Sequence, residues 1–233
     1  MSPKVETLFW SLLTALGYFL LASLSLAATK GADNIAAVWP PSGYLLAMLL
    51  LAPAGARIGA LVGMAGASVS ANLLGGAPLS LSAAFTLANA VEGSVALWMI
   101  NRRERGILSF MVPRSVGNFC IAALTASCAS AGIATLLTGG GFDFFRSWLT
   151  TVGLGMLIVT PPIVMLARLA GAGALGNSNR AGTVEATAIL TAAAAITTVC
   201  FSQAEFPVTF LPCVAVVAAS YRLGPFGAAA SVL

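Results

Sequence analysis

The chain is a succession of apolar runs joined by short polar links, and that feature limits its fold more than any other. Only 8% of its 233 residues are charged and 59% are hydrophobic, where a soluble domain carries roughly a quarter charged residues. Too few polar side chains remain to cover a globule of this size, so much of the surface must face lipid. No run alternates apolar and polar residues with a period of two, which argues against a β-barrel. The 24 glycines suit membrane helices, where a missing side chain lets backbones approach. The expected fold class is therefore all-α: a polytopic transmembrane helical bundle.

A helix needs roughly 20 residues to cross the hydrocarbon core. On that ruler eight spans fall at roughly 7–28, 39–54, 57–75, 79–101, 115–138, 147–170, 183–201 and 206–222, with a partial ninth starting at about 225. The opening MSPKVE runs directly into the first apolar stretch, which is too long for a signal-peptide core and reads as a retained span. The closing run from Phe226 to Leu233 is too short to cross. The expectation is an integral membrane domain over 1–233, incomplete at its C-terminus and cut from a longer protein.

With the N-terminus inside, Lys4, Arg57, Arg102, Arg103, Arg105, Arg114, Arg168, Arg180 and Arg222 fall on the inner side, and only Lys30 and Arg146 on the outer. Such asymmetry sets orientation. It gives a multi-pass protein of a bacterial-type inner membrane with a cytoplasmic N-terminus and topology anchors at Arg57, Arg102, Arg103, Arg105 and Arg222. The net charge of +4 belongs to this topology signal, so the partner is the lipid bilayer and not nucleic acid. The Arg102–Arg105 cluster could also meet anionic head groups.

Catalytic chemistry has little to stand on. There is no histidine, which removes haem ligation, most zinc and copper designs and any Ser-His-Asp triad. The four cysteines, Cys120, Cys128, Cys200 and Cys213, sit inside apolar runs without paired-ligand spacing and read as small hydrophobes. No catalytic residue, metal or cofactor is expected.

Binding has more. Trp39-Pro40-Pro41 opens a short second span, whose N-terminus would begin below the outer surface with its free N–H groups facing a cavity. Thr160-Pro161-Pro162 falls inside the sixth span, where two prolines remove two backbone hydrogen bonds and should kink or break it. Glu92 lies ten residues before Arg102, about 15 Å from the inner boundary and near the midplane. A carboxylate is expensive at that depth. Asn89 shares its helix face at i,i+3 spacing, and Asn72 sits toward the outer end of the third span. The ligand-binding expectation is a polar cavity open to the outside, lined by Trp39, Pro40, Pro41, Asn72, Asn89, Glu92, Thr160, Pro161 and Pro162. The competing reading is that Asn and Ser bond one helix to another and that the prolines serve packing alone.

The order of these motifs resembles the first type of membrane-associated sensor (MASE) domain. The matching elements are Trp39-Pro40-Pro41-Ser42-Gly43 before a leucine-rich short helix, Arg57, Asn72-Leu73, Gly76-Ala77-Pro78-Leu79 and Ala88-Asn89-Ala90-Val91-Glu92. They continue with Arg102-Arg103, Phe144-Phe145 with Trp148, Gly153, Gly155, Pro161-Pro162, and finally Ala218-Ala219 with Arg222-Leu223-Gly224 and Gly227. Ser42 stands where the family often has Asn, and the last spans are missing. The resemblance implies a sensory input module that feeds a histidine kinase, diguanylate cyclase or phosphodiesterase. Any such activity would lie outside this chain, and a homodimer is the implied assembly. The signal would be a small ligand or a neighbouring membrane protein. The alternative is a transporter, or its substrate-binding subunit, with a midplane polar site.

Overall fold

The computed structural model describes residues 2–29, 38–104, 108–171, 180–202 and 211–232. Within them the chain is helical: α1 (Pro3–Thr29), α2 (Pro40–Leu51), α3 (Arg57–Leu74), α4 (Leu79–Arg103), α5 (Pro113–Thr138), α6 (Phe142–Gly171), α7 (Arg180–Ser202) and α8 (Leu211–Val232). Six of these are long and apolar enough to cross a membrane, and two stretches, Pro40–Leu51 and Leu211–Gly224, are shorter apolar helices. The chain divides into two compact units, residues 1–160 and 161–233, with the division inside α6.

The second expected span is thus a short helix, for local reasons. α2 is 12 residues, about 18 Å at 1.5 Å per residue. Ala52, forced extended by the proline that follows it, ends the helix at φ −68°, ψ 137°, and a single 3-10 turn (Ala54–Ala56) leads into α3. In α8 the break comes at Gly224, whose φ of 67° and ψ of −159° are non-helical. This matches the turn expected at Arg222-Leu223-Gly224, since a side chain would resist that conformation. α6 starts earlier than the sequence suggested, with Asp143 in its first turn, where a negative charge favours the helix dipole. Asp143 pairs with Arg146 at 3.8 Å.

The first unit is built on two opposed faces of α1. Leu8, Leu12, Leu16, Leu20 and Leu24 recur every fourth residue and are all well exposed, the pattern of a lipid-facing ridge. Thr14, Tyr18 and Ala22 are buried. They are offset from the leucines by two residues, roughly 200° around the helix. α3 packs on α1 in step: Gly59 against Thr7 and Gly63 against the Ser11 carbonyl, so the two helices run parallel. Gly59 and Gly63 form the G-x-x-x-G spacing that lets membrane helices touch backbone to backbone.

α2 runs back between them in sequence and is almost wholly buried from Pro41 to Leu49. Its side chains serve two cores. Leu45 and Leu49 pack with Tyr18, Ala60, Met64 and Ala67, while Leu46 packs with Ala96, Ile100, Phe119, Ala123 and Met156. α2 is antiparallel to α1, because Tyr44 donates to the Leu13 carbonyl at 2.8 Å while Trp39 meets Tyr18. Tyr18 lies 11 residues before the end of α1 (29 − 18), so α2 begins about 16 Å below that end.

α4 and α5 form a hairpin held at one end by Glu104. Its carboxylate accepts from Ser115 Oγ at 2.8 Å and Asn118 Nδ2 at 2.6 Å. In the second unit Arg222 of α8 is ion-paired with Glu185 of α7. Of the topology anchors, Arg57 donates to the Ala52 carbonyl, Arg102 lies 5.1 Å over the Trp98 ring and Arg103 is the last residue of α4. Arg105 lies outside the described residues.

Two outcomes are expected. A Cβ at Gly63 would strike the Ser11 carbonyl, whereas one at Gly66 meets nothing within 4 Å. Gly63→Ala should therefore lower the thermal midpoint of the detergent-solubilised protein, by about 1–3 kcal/mol of strain, while Gly66→Ala should leave it unchanged or raise it. The second concerns Glu104. Donation by the Asn118 amide, then by the Ser115 hydroxyl, holds its carboxyl below the ordinary carboxylate range. A depressed folded-state value means the stabilisation is present above the usual range and is lost as pH falls through it. Thermal midpoints measured from about pH 7 to about pH 3 should fall less steeply in Glu104→Gln than in the parent.

Candidate functional site

Several of the polar residues buried in the first unit gather among α1, α2, α3, α4, α5 and α6. α4 supplies Asn89 and Glu92, one turn apart on its inner face and only 2% and 1% exposed. They point inward because the opposite face carries exposed Leu87 and Trp98. Gly93 beside them lets Leu45 and Leu49 of α2 close on the α4 backbone. Asn89 Nδ2 donates to the Tyr18 hydroxyl at 2.9 Å, and the Trp39 and Ser68 side chains also meet that hydroxyl. Ser68 Oγ in turn accepts from Thr86 Oγ1 at 2.8 Å.

The Glu92 carboxyl faces the hydroxyls of Ser42 on α2 and Ser130 on α5, without hydrogen-bond geometry to either. Both Glu92 oxygens, Ser42 Oγ and Asn89 Oδ1 are buried and lack a hydrogen-bond partner. Ser130 is oriented from the other side, accepting from Trp148 Nε1 at 2.9 Å. Trp148 is in turn fixed among Phe85 and Phe144, with ring centroids at 4.9 and 5.7 Å. Unpaired buried polar atoms are rare in proteins and mark strain, function or a missing partner. Three of these oxygens, the two of Glu92 and Ser42 Oγ, face one another, with Asn89 one helical turn away on the same face of α4, and they make Glu92 the centre of the candidate site.

α6 closes the site by backbone contact. Gly155 lies against the Trp39 carbonyl and Gly43 against the Gly155 carbonyl, so closely that a Cβ at either would collide with main chain. The Trp39 N–H donates to the Thr151 carbonyl at 3.0 Å. Thr160, fully buried, donates to the Gly43 carbonyl at 2.9 Å.

The expected lining residues therefore divide. Trp39, Asn89 and Glu92 come together, and Thr160 is tied to the same α2 turn. Asn72 is buried but spends its amide on the Ser68 carbonyl of its own helix, at 2.8 Å. The expectation of free N–H groups at the start of α2 does not hold. Pro40 and Pro41 have no N–H to offer, and the Ser42 N–H bonds back to the Trp39 carbonyl. Pro161 and Pro162, expected to kink or break the sixth span, lie inside α6, just after Thr160 has turned its hydroxyl to α2, so the helix is not broken there. Sequence reasoning overlooked Tyr18 and Ser130, and it met Ser42 and Trp148 only as parts of motifs. Tyr18 was findable, since it falls on the face of the first span opposite the leucine ridge.

These features define a class: a multi-pass helical membrane protein with a polar site buried in its bundle. The MASE1 family model matches residues 10–233, nearly the whole chain. The chain belongs to the MASE1 family of membrane-associated sensor domains, a sensory rather than a catalytic family. No curated protein and no solved structure matches it.

The Trp148–Ser130 bond can be weighed by a double-mutant cycle in detergent. Trp148→Phe and Ser130→Ala should each lower stability by about 0.5–1.5 kcal/mol. The double variant should lose less than their sum, because the two act through one bond.

Proposed function

We propose that this chain is the sensory input module of a bacterial signalling protein of the histidine kinase or cyclic-di-GMP type. It lies in the inner membrane with its N-terminus in the cytoplasm and relays a signal to a cytoplasmic output domain. The observation that carries the reading is the unpartnered Glu92 carboxyl at the junction of α2, α4 and α5. A charge or hydrogen-bond demand buried there is satisfied differently by different helix arrangements. A signal that meets the demand in one arrangement shifts the population toward it. α2 is the element best placed to respond, since its side chains are shared between two cores. The basic residues at Arg57, Arg102, Arg103 and Arg222 support the orientation. The transporter reading draws on the same acid and has no observation of its own.

The test is Glu92→Gln in the intact gene product in its host, reading kinase phosphorylation or the cyclic-di-GMP level. Gln keeps the shape and removes the titratable group. The signal response should change several-fold at an unchanged amount of protein in the membrane, while Gly66→Ala responds as the parent. A normal response in Glu92→Gln at normal protein level would overturn the reading. Ser42→Ala serves the same purpose if the Gln variant fails to accumulate. Fusions of a cytoplasm-only reporter after residues 104 and 141 check the orientation, with activity expected only for the first.

A further inference from the structure

We propose that the Glu92 cluster is a binding site for one monovalent hard cation of the sodium class. The inference rests on reading this cluster as the sensing site, and it names what the site takes. The donor set is its basis. Glu92 Oε1 and Oε2, Asn89 Oδ1 and Ser42 Oγ are all buried without partners. Ser130 Oγ faces the same carboxyl; it accepts one bond from Trp148 and keeps a second lone pair. Every one of these atoms is an oxygen. Oxygen-only sets select hard alkali or alkaline-earth ions over softer transition metals.

The charge selects between the hard ions. Among the described residues no three His, Cys, Asp or Glu side chains group together, so the cluster offers one carboxylate, which balances a single positive charge. A divalent ion would leave an uncompensated charge in a low-dielectric core. Neither described ion pair, Asp143–Arg146 nor Glu185–Arg222, involves Glu92, so those cations do not compete. The donors come from α2 and α4, and Ser130 adds α5. A bound ion therefore ties the short central helix to its neighbours, and its departure frees that contact.

The experiment uses the full chain in detergent micelles or lipid nanodiscs. Thermal midpoints are measured as sodium chloride replaces choline chloride at constant ionic strength, which removes screening as a cause. Equilibrium binding of radioactive sodium is measured alongside. The expected result is a saturable rise of roughly 2–6 °C with sodium and about one ion bound per chain, the proposed stoichiometry. Both should be lost in Glu92→Gln and reduced in Ser42→Ala, and both should be kept in Asn118→Ala. Parent protein that binds no sodium and shows the same midpoint in both salts overturns the cation site. So does a midpoint that responds to pH alone, because the carboxyl then takes only a proton. Parent protein carries these outcomes even if a variant fails to fold. If sodium fails while Glu92→Gln still alters signalling in cells, the sensory reading stands and only the cation is wrong.

Discussion

The contact on which the first unit depends is the approach of α6 to the start of α2. Gly155 of α6 rests on the carbonyl of Trp39, and Gly43 of α2 rests on the carbonyl of Gly155. In lipid no hydrophobic force pushes helices together, so close packing and interhelical hydrogen bonds must hold them. Both are present here. The Trp39 N–H and the Thr160 hydroxyl bond across the gap that the two glycines leave open. The same device joins α1 to α3 through Gly59 and Gly63. A short helix that cannot cross the membrane on its own is thereby fixed inside a bundle of longer ones.

That placement explains how an acid can be carried so deep. α2 starts beside Tyr18, well below the end of α1, and brings Ser42 to the level of Glu92. The prolines that set its start also leave its first turn without free donors, so the anion-binding character of an ordinary helix N-terminus is missing. What remains around Glu92 is a set of oxygen acceptors and hydroxyls, with Tyr18, Trp39 and Trp148 walling it in. The proposed site therefore suits a positive charge or a proton donor rather than an anion. This follows from the backbone chemistry of Pro40 and Pro41 as much as from Glu92 itself.

The prolines of α6 behave differently from those of α2. A Pro-Pro pair inside a helix removes two N–H donors, and on that ground a kink or break is the expectation. The helix nevertheless continues. Interior prolines are tolerated in a membrane helix of this length because neighbouring helices and Ser or Thr side chains can satisfy the freed backbone groups. Arg222-Leu223-Gly224 is the opposite case, where a glycine taking φ 67° does interrupt the helix, as its position before a further apolar run suggested.

The class of protein was legible in the chain alone. The scarcity of charge forces an all-helical membrane protein, the spacing of apolar runs places the long helices, and the motif order names the family. It also marked Glu92, because a carboxylate so far from any boundary stands out without a structure. It could not decide which polar residues meet. Asn72 and Asn89 look alike in the sequence, yet one bonds its own helix and the other reaches Tyr18. Ser130 is one small residue among many on α5 until Trp148 and Glu92 approach it from two sides. Those choices depend on helix rotation and depth. Backbone contacts at Gly43, Gly63 and Gly155 set both, and they form only when distant parts of the chain pack together.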